Sequence, residues 1–337
     1  MRILVLGAGG IGGYFGGRLA EAGADVTFLL RPARAARIAE TGLVVRSPHG
    51  DILRPVRSVT EAGAGYDLVL LTCKAYDLEA AMAAIAPAMA GGAAVLPMLN
   101  GMRHLDTLDA TFGAAHVLGG LCHIAATLDL AGEVRHLNRM HALTLGPRRA
   151  GQAGVVAAFA EAARGARFDL RVSEEPIQDM WEKFVLLATM AGMTCLMRGN
   201  VGQIMAAEGG EARMLATLAE ADAVAGAAGH ASRPARLAAA RGTLTERGSS
   251  FAASMLRDVE RGGRTEAAHV VGDMVARAGA AGLAAPMLAT AWCHLQVHEA
   301  RVAGGQPLAA MLPGCSGSAS SSPPMMPRPG SARRSRR

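Results

Sequence analysis

Residues 2–6, RILVL, form a short apolar run that stops at the glycine-rich stretch GAGGIG. A stretch of helical texture follows, GGYFGGRLAEAG, with Gly23 as its stop. Gly7, Gly9 and Gly12 therefore form Gly-x-Gly-x-x-Gly between a strand and a helix. Each glycine has its own reason in that setting. The first permits a tight turn, the second lets a pyrophosphate approach the backbone, and the third lets helix and strand pack closely. The helix start adds amide donors and a partial positive charge. The whole loop, Gly7, Ala8, Gly9, Gly10, Ile11 and Gly12, is expected to hold a dinucleotide.

Strand-like runs then alternate with helical ones. DVTFLLR is a second strand, YDLVLLTCK (66–74) and AAVLPMLN (93–100) are further buried strands, and HVLGGLCHIAATLD, ALTLG and DLRVS follow. This alternation predicts an α/β fold with a parallel, doubly wound sheet of Rossmann type. From about Glu174 the texture changes, and helical periods are expected over 176–197, 201–229, 233–245, 249–260, 265–281 and 286–303. The expected organisation is a dinucleotide-binding domain over 1–173, an all-helical substrate and catalytic domain over 174–308, and a Ser/Pro/Arg-rich tail over 309–337 without the means to build a core.

The end of the second strand discriminates between cofactors. A site for NAD usually carries an acid there to bind the ribose hydroxyls. Here the strand ends in Arg31, with Arg34 and Arg37 behind it. A guanidinium suits a 2′-phosphate, so NADP(H) is the expected cofactor.

Composition excludes other classes. The net charge of +6 includes five arginines after Pro313, so the body is close to neutral, and aromatics are only 4%. No nucleic-acid partner is expected. The apolar N-terminal run is broken by glycines, and AAMAAIAPAMAGGAAVLPMLNGM is broken by Pro87, Gly91, Gly92 and Pro97, so no membrane association is expected. The five cysteines, odd in number and scattered, show neither metal spacing nor a disulfide framework. A reduced, cytoplasmic setting and no metal site are expected.

Of 34 basic residues only Lys74 and Lys183 are lysines. Lys74 follows one buried strand and Asn100 ends the next, and ligands of doubly wound sheets bind beyond such strand ends. Lys183 borders the uncharged run Phe184 to Met197, which reads as a buried helix. An ammonium held in a cleft can give up a proton where a guanidinium cannot. The bland alternative is a structural lysine whose stem lies along apolar surface. Ser254 and Glu266 flank the break at Gly262–Gly263, where two joined helices could bring a hydroxyl and a carboxylate to one pocket. The histidines, His123 among them, have no evident partners and read as ordinary surface or core residues.

Taken in order, GAGGIGGYFGGRLAEAG, LTCKAYD, LPMLNG, WEKF and SMLRDVERGGRTE resemble the ketopantoate reductase (2-dehydropantoate 2-reductase) family from Met1 to about Gly304. The resemblance implies NADPH-dependent reduction of a 2-keto acid to a 2-hydroxy acid, in pantothenate biosynthesis. Gly7, Gly9, Gly12 and Arg31 match the family's cofactor positions. Lys74 and Asn100 match residues at the cofactor–substrate junction. Lys183 matches a catalytic lysine that protonates the carbonyl oxygen, Ser254 a substrate carboxylate contact, and Glu266 a catalytic or hydroxyl-binding carboxylate. The family often has asparagines four and eight residues past that lysine, where this chain has Leu187 and Ala191. That departure opens the alternative of a more hydrophobic keto acid. A non-catalytic NADP(H)-binding sensor is a third reading, but it would have no use for a proton donor. A homodimer is an allowed assembly.

Overall fold

A computed structural model of the chain describes residues 1–304. The tail expected over 309–337, and the end of the helical region placed at 308, lie outside the described residues. The elements run β1 (Arg2–Leu6), α1 (Gly10–Glu21), β2 (Asp25–Leu29), α2 (Pro32–Thr41), β3 (Leu43–Arg46), β4 (Ile52–Arg54), β5 (Arg57–Val59) and β6 (Leu68–Leu71). They continue with a 3-10 turn (Ala75–Asp77), α3 (Leu78–Ala90), β7 (Ala94–Pro97), α4 (Arg103–Phe112), β8 (Gly119–Leu128), β9 (Val134–Gly146), α5 (Ala153–Ala162) and β10 (Asp169–Val172). Helices alone follow: α6 (Pro176–Met197), α7 (Val201–Ala206), α8 (Gly210–Ala227), α9 (Pro234–Leu244), α10 (Ser254–Glu260), α11 (Ala267–Ala280) and α12 (Pro286–Ala303). The Rossmann-type α/β part followed by a helical region is the fold class expected from the sequence.

The first sheet has strand order β5-β2-β1-β6-β7, and every pairing in it is parallel. Its central strands are apolar on both faces because helices cover both sides. Ile3, Leu4, Val5 and Leu68 to Leu71 are fully buried. Helix α1 approaches closely because its glycines leave room. A Cβ on Gly16 would stand 2.8 Å from the Phe28 ring. The chain order reverses beside β1, so the ends of β1, β6 and β7 open onto the crevice where such folds bind ligands.

A second sheet, β10-β9-β3-β4 with β8 on β9, was only partly expected. The three short strands β3 to β5 are additional, and β9 begins eight residues before ALTLG. Strand β8 leaves the edge of the first sheet, where Val117 bridges to Val95. It then passes over the strand ends, since a Cβ on Gly10 would lie 2.6 Å from the Ala126 carbonyl oxygen.

Three expected boundaries are corrected. Helix 201–229 is two helices, divided at Gly209 with φ +71°, where a Cβ on Gly210 would lie 1.8 Å from the Ile204 carbonyl oxygen. The helix expected from 249 begins at Ser254. Pro87 lies inside α3, near its end, rather than terminating it. Helix α6 is the axis of the helical region. Phe184, Val185, Ala188, Met193 and Cys195 along it are at most 1% exposed. Its 22 residues are long and apolar enough to cross a membrane, but most of that surface is buried within the fold.

Candidate active site

Gly7, with φ +90°, makes the turn out of β1, and its N–H donates to the Leu29 carbonyl at 2.9 Å. A Cβ on Gly12 would meet the Gly7 carbonyl oxygen at 2.3 Å and Thr72 Oγ1 at 2.4 Å, so this position tolerates nothing larger. A Cβ on Gly9 would meet nothing within 4 Å. The fold leaves the backbone open at this position, which is what the approach of a phosphate requires. Ala8 is buried and Ile11 packs on the core beneath the sheet. These features fit a dinucleotide.

Arg31 caps α2 just beyond β2, with its side chain 83% exposed and one ion pair, to Asp77 Oδ2 at 3.2 Å. Such surface pairs hold weakly, which leaves the guanidinium free for another anion. Arg34 and Arg37 are engaged otherwise. Arg34 donates to the Ala8 and Gly132 carbonyls at 2.9 and 2.8 Å, and Arg37 donates to the Ala131 carbonyl. These two arginines fasten the glycine turn and helix α2 to the β8–β9 hairpin.

Lys183 reaches from α6 across to the strand ends. Its Nζ donates to Asn100 Oδ1 at 3.2 Å and to the Cys122 carbonyl at 2.8 Å. Asn100 lies three residues past β7, so the two are 83 residues apart in sequence yet share a hydrogen bond. An ammonium has three N–H donors; the third has no acceptor here among the described residues.

Lys74 lies three residues past β6, and its Nζ donates to Glu266 Oε2 at 3.1 Å. Oε1 of the same carboxylate accepts from the Ala75 backbone N–H at 3.1 Å. Asp258 Oδ2 is 3.7 Å from the same ammonium. Burial works against the Lys74 charge, yet Glu266 and Asp258 outweigh it and hold its pKa above the ordinary lysine value. Burial, together with Glu266, pushes the Asp258 carboxyl up although Lys74 opposes this. Ser254 is exposed in the first turn of α10, one turn before Asp258 and therefore on its face. Ser254 forms no hydrogen bond with Glu266, whose carboxylate turns instead to Lys74 and the Ala75 N–H.

The two lysine clusters are joined through the start of α11. Glu266 caps that helix and holds Lys74, while the carbonyl oxygen of His269 would lie 2.4 Å from a Cβ on Gly101, next to Asn100. Gly101 also has φ +84°. One helix turn thus clamps the ends of β6 and β7. Leu187 and Ala191 follow Lys183 by one and two turns along α6, Leu187 partly and Ala191 almost wholly buried.

Sequence reasoning passed over three groups. Asp258 and the Cys122 carbonyl had no sequence signal, since each acts through a contact far along the chain. His123 looks ordinary in the sequence, but it lines a cavity of about 380 Å³ with Lys183, Arg171 and Arg236. Its edge is open to solvent, yet the cavity walls and those three cations push its pKa down to about 4. Its only hint was its place after Cys122 in the long β8 run.

A glycine turn at the end of a parallel strand, with a lysine from a helical region held at the neighbouring strand ends, is the arrangement of a nicotinamide-dependent oxidoreductase. Residues 3–150 match the family described as "Ketopantoate reductase PanE/ApbA", and residues 176–299 match its C-terminal part. The chain is 36% identical over 301 residues to "Uncharacterized oxidoreductase YkpB" of Bacillus subtilis (strain 168), covering 89% of this chain and 99% of that protein. It is 30% identical over 294 residues to a "2-dehydropantoate 2-reductase" of Halobacterium salinarum, covering 86% and 96% of the two. The crystal structure of a PanE/ApbA family ketopantoate reductase from Ralstonia eutropha JMP134 superposes with a TM-score of 0.80 at 28% identity, covering 90% of this chain and all of that one. The chain belongs to the ketopantoate reductase family.

Proposed function

We propose that the protein reduces a 2-keto acid to the 2-hydroxy acid with NADPH, and that 2-dehydropantoate is the leading substrate. The observation that carries this reading is the placement of Lys183 Nζ between Asn100 Oδ1 and the Cys122 carbonyl, with one N–H unspent. The nicotinamide, when bound, supplies the hydride. Lys183 then offers its free N–H to the keto oxygen, stabilises the developing alkoxide and delivers the proton. Its two existing hydrogen bonds fix the direction of that donor. Asn100 holds Lys183 and has its amide N–H groups left for ribose or substrate. Gly7 to Gly12 hold the pyrophosphate, and Arg31 holds the 2′-phosphate.

Lys74 and Glu266 act as a pair. Glu266 locks Lys74 at the cofactor–substrate junction and seats α11 on the strand ends, so both halves of the site are set together. Ser254, exposed on the same side of α10, is offered to the substrate carboxylate.

Leu187 and Ala191 favour a second reading, the same chemistry on a keto acid with a more apolar side chain. Steady-state NADPH oxidation over a panel of 2-keto acids separates the two. A far lower kcat/KM for 2-dehydropantoate than for a branched or aromatic analogue would select the second. A cytoplasmic enzyme acting on a small molecule, as expected from the sequence, suits either.

A further inference from the structure

A second cavity of about 380 Å³ lies behind the site, between the α/β part and the helices. Met102 and Leu105 form its apolar wall from one side, and Ile177 and Trp181 from the other. Arg148 and Arg149 enter from the turn after β9, and Arg277 enters from α11. Three guanidiniums thus face a small apolar chamber whose one acidic lining residue, Asp106, is paired with Arg277 at 3.2 Å.

Two of the arginines are incompletely satisfied. Arg148 is only 9% exposed and is held by Asp109 in two bonds of 2.8 and 2.7 Å, yet its buried Nε has no acceptor among the described residues. The exposed Arg149 side chain forms no hydrogen bond or ion pair among the described residues. Burying a donor without a partner is costly, and planar guanidiniums favour a phosphate or carboxylate. Trp181 lines the cavity with an almost wholly buried ring, 3% exposed. Its ring is stacked with His230, centroids 5.8 Å apart, and the Arg277 guanidinium carbon lies 5.3 Å from its centroid.

We propose that this cavity binds a phosphate monoester with a small apolar or aromatic body, and that its occupancy is felt at the lysine site. The link is short. Met102 lies two residues past Asn100, with Gly101 between them pressed on the start of α11. Trp181 lies two residues before Lys183 on the opposite face of α6. A ligand held by Arg148 and Arg149 on one half and by Arg277 and Trp181 on the other would tie the two halves together.

Phenyl phosphate is the probe, titrated calorimetrically into the whole chain with the dinucleotide present to occupy the glycine loop. Trp181 fluorescence, read in a Trp292→Phe background, reports the same event at the cavity. Saturable binding is expected, weakened at least about tenfold, the equivalent of one ion pair or more, in Arg149→Ala. Turnover without the probe should be unchanged in that variant. Inorganic phosphate and phenol should each bind more weakly than phenyl phosphate. Absence of saturable binding by calorimetry, equal affinity for phenol, or an affinity that survives Arg149→Ala overturns the proposal. These readouts are binding measurements, so their failure is distinct from a failure to find keto acid turnover.

Discussion

Lys183 Nζ and Asn100 Oδ1 stand 3.2 Å apart, joining the central helix of the helical region to the end of the last strand in the parallel sheet. The bond crosses the crevice where the dinucleotide is expected, so it aligns the proposed proton donor with the cofactor.

The glycine turn gives the cleanest separation of folding from binding. Gly12→Ala forces a methyl against the Gly7 carbonyl oxygen and Thr72 Oγ1, so it should destabilise the fold by about 1–3 kcal/mol. Gly9→Ala meets nothing within 4 Å, and its backbone (φ −84°, ψ −161°) suits any residue. Its stability should stay within about 0.5 kcal/mol of the parent while cofactor affinity falls. Thermal melts with and without NADPH measure both. A Gly9→Ala variant that binds cofactor normally would remove the pyrophosphate from that turn.

Arg31 decides between the two nicotinamide cofactors. Arg31→Ala should weaken NADPH far more than NADH, because the guanidinium is exposed, held only by Asp77 at 3.2 Å, and β2 itself ends without an acid to hold ribose hydroxyls instead. Titrating both cofactors against the variant checks this, and equal weakening would remove the 2′-phosphate role.

Glu266→Gln keeps the shape but removes the charge that pairs with Lys74. The buried amide then faces an ammonium, and a loss of about 1–3 kcal/mol is expected. The pH dependence has a definite sign. The folded-state pKa of Lys74 is raised, so its pairing stabilises fully below the unfolded lysine value of about 10.4 and is lost as pH rises through the folded value. The gap in Tm between parent and variant should therefore close in alkaline solution. A gap that stays constant there would mean that the Lys74–Glu266 pair contributes no pH-linked stability.

Much of this site was legible in the sequence because its parts are local. The glycine spacing, the two rare lysines and Asn100 each sit at a strand end or on a helix that can be read from the chain. The short strands were harder. Strands β3 and β4 of the second sheet and β5 at the edge of the first are three or four residues long and carry or adjoin Arg, Ser and Pro, so no alternation accumulates to reveal them. The partnership of Glu266 with Lys74 spans 192 residues and that of Lys183 with Cys122 spans 61, and no spacing rule reaches so far. Nor does the sequence reveal that Arg34 and Arg37, behind Arg31, are taken up by the carbonyl oxygens of Ala8, Gly132 and Ala131.

The central claim is that Lys183 protonates a keto acid as hydride arrives. The most direct measurement is single-turnover NADPH oxidation by purified protein with a panel of 2-keto acids, run beside Lys183→Arg. The parent should oxidise NADPH only when a keto acid is present, and the variant, with charge retained but the proton no longer available, should be slower by about 10²-fold or more. Oxidation that proceeds equally fast in the variant, or none with any keto acid, would contradict it.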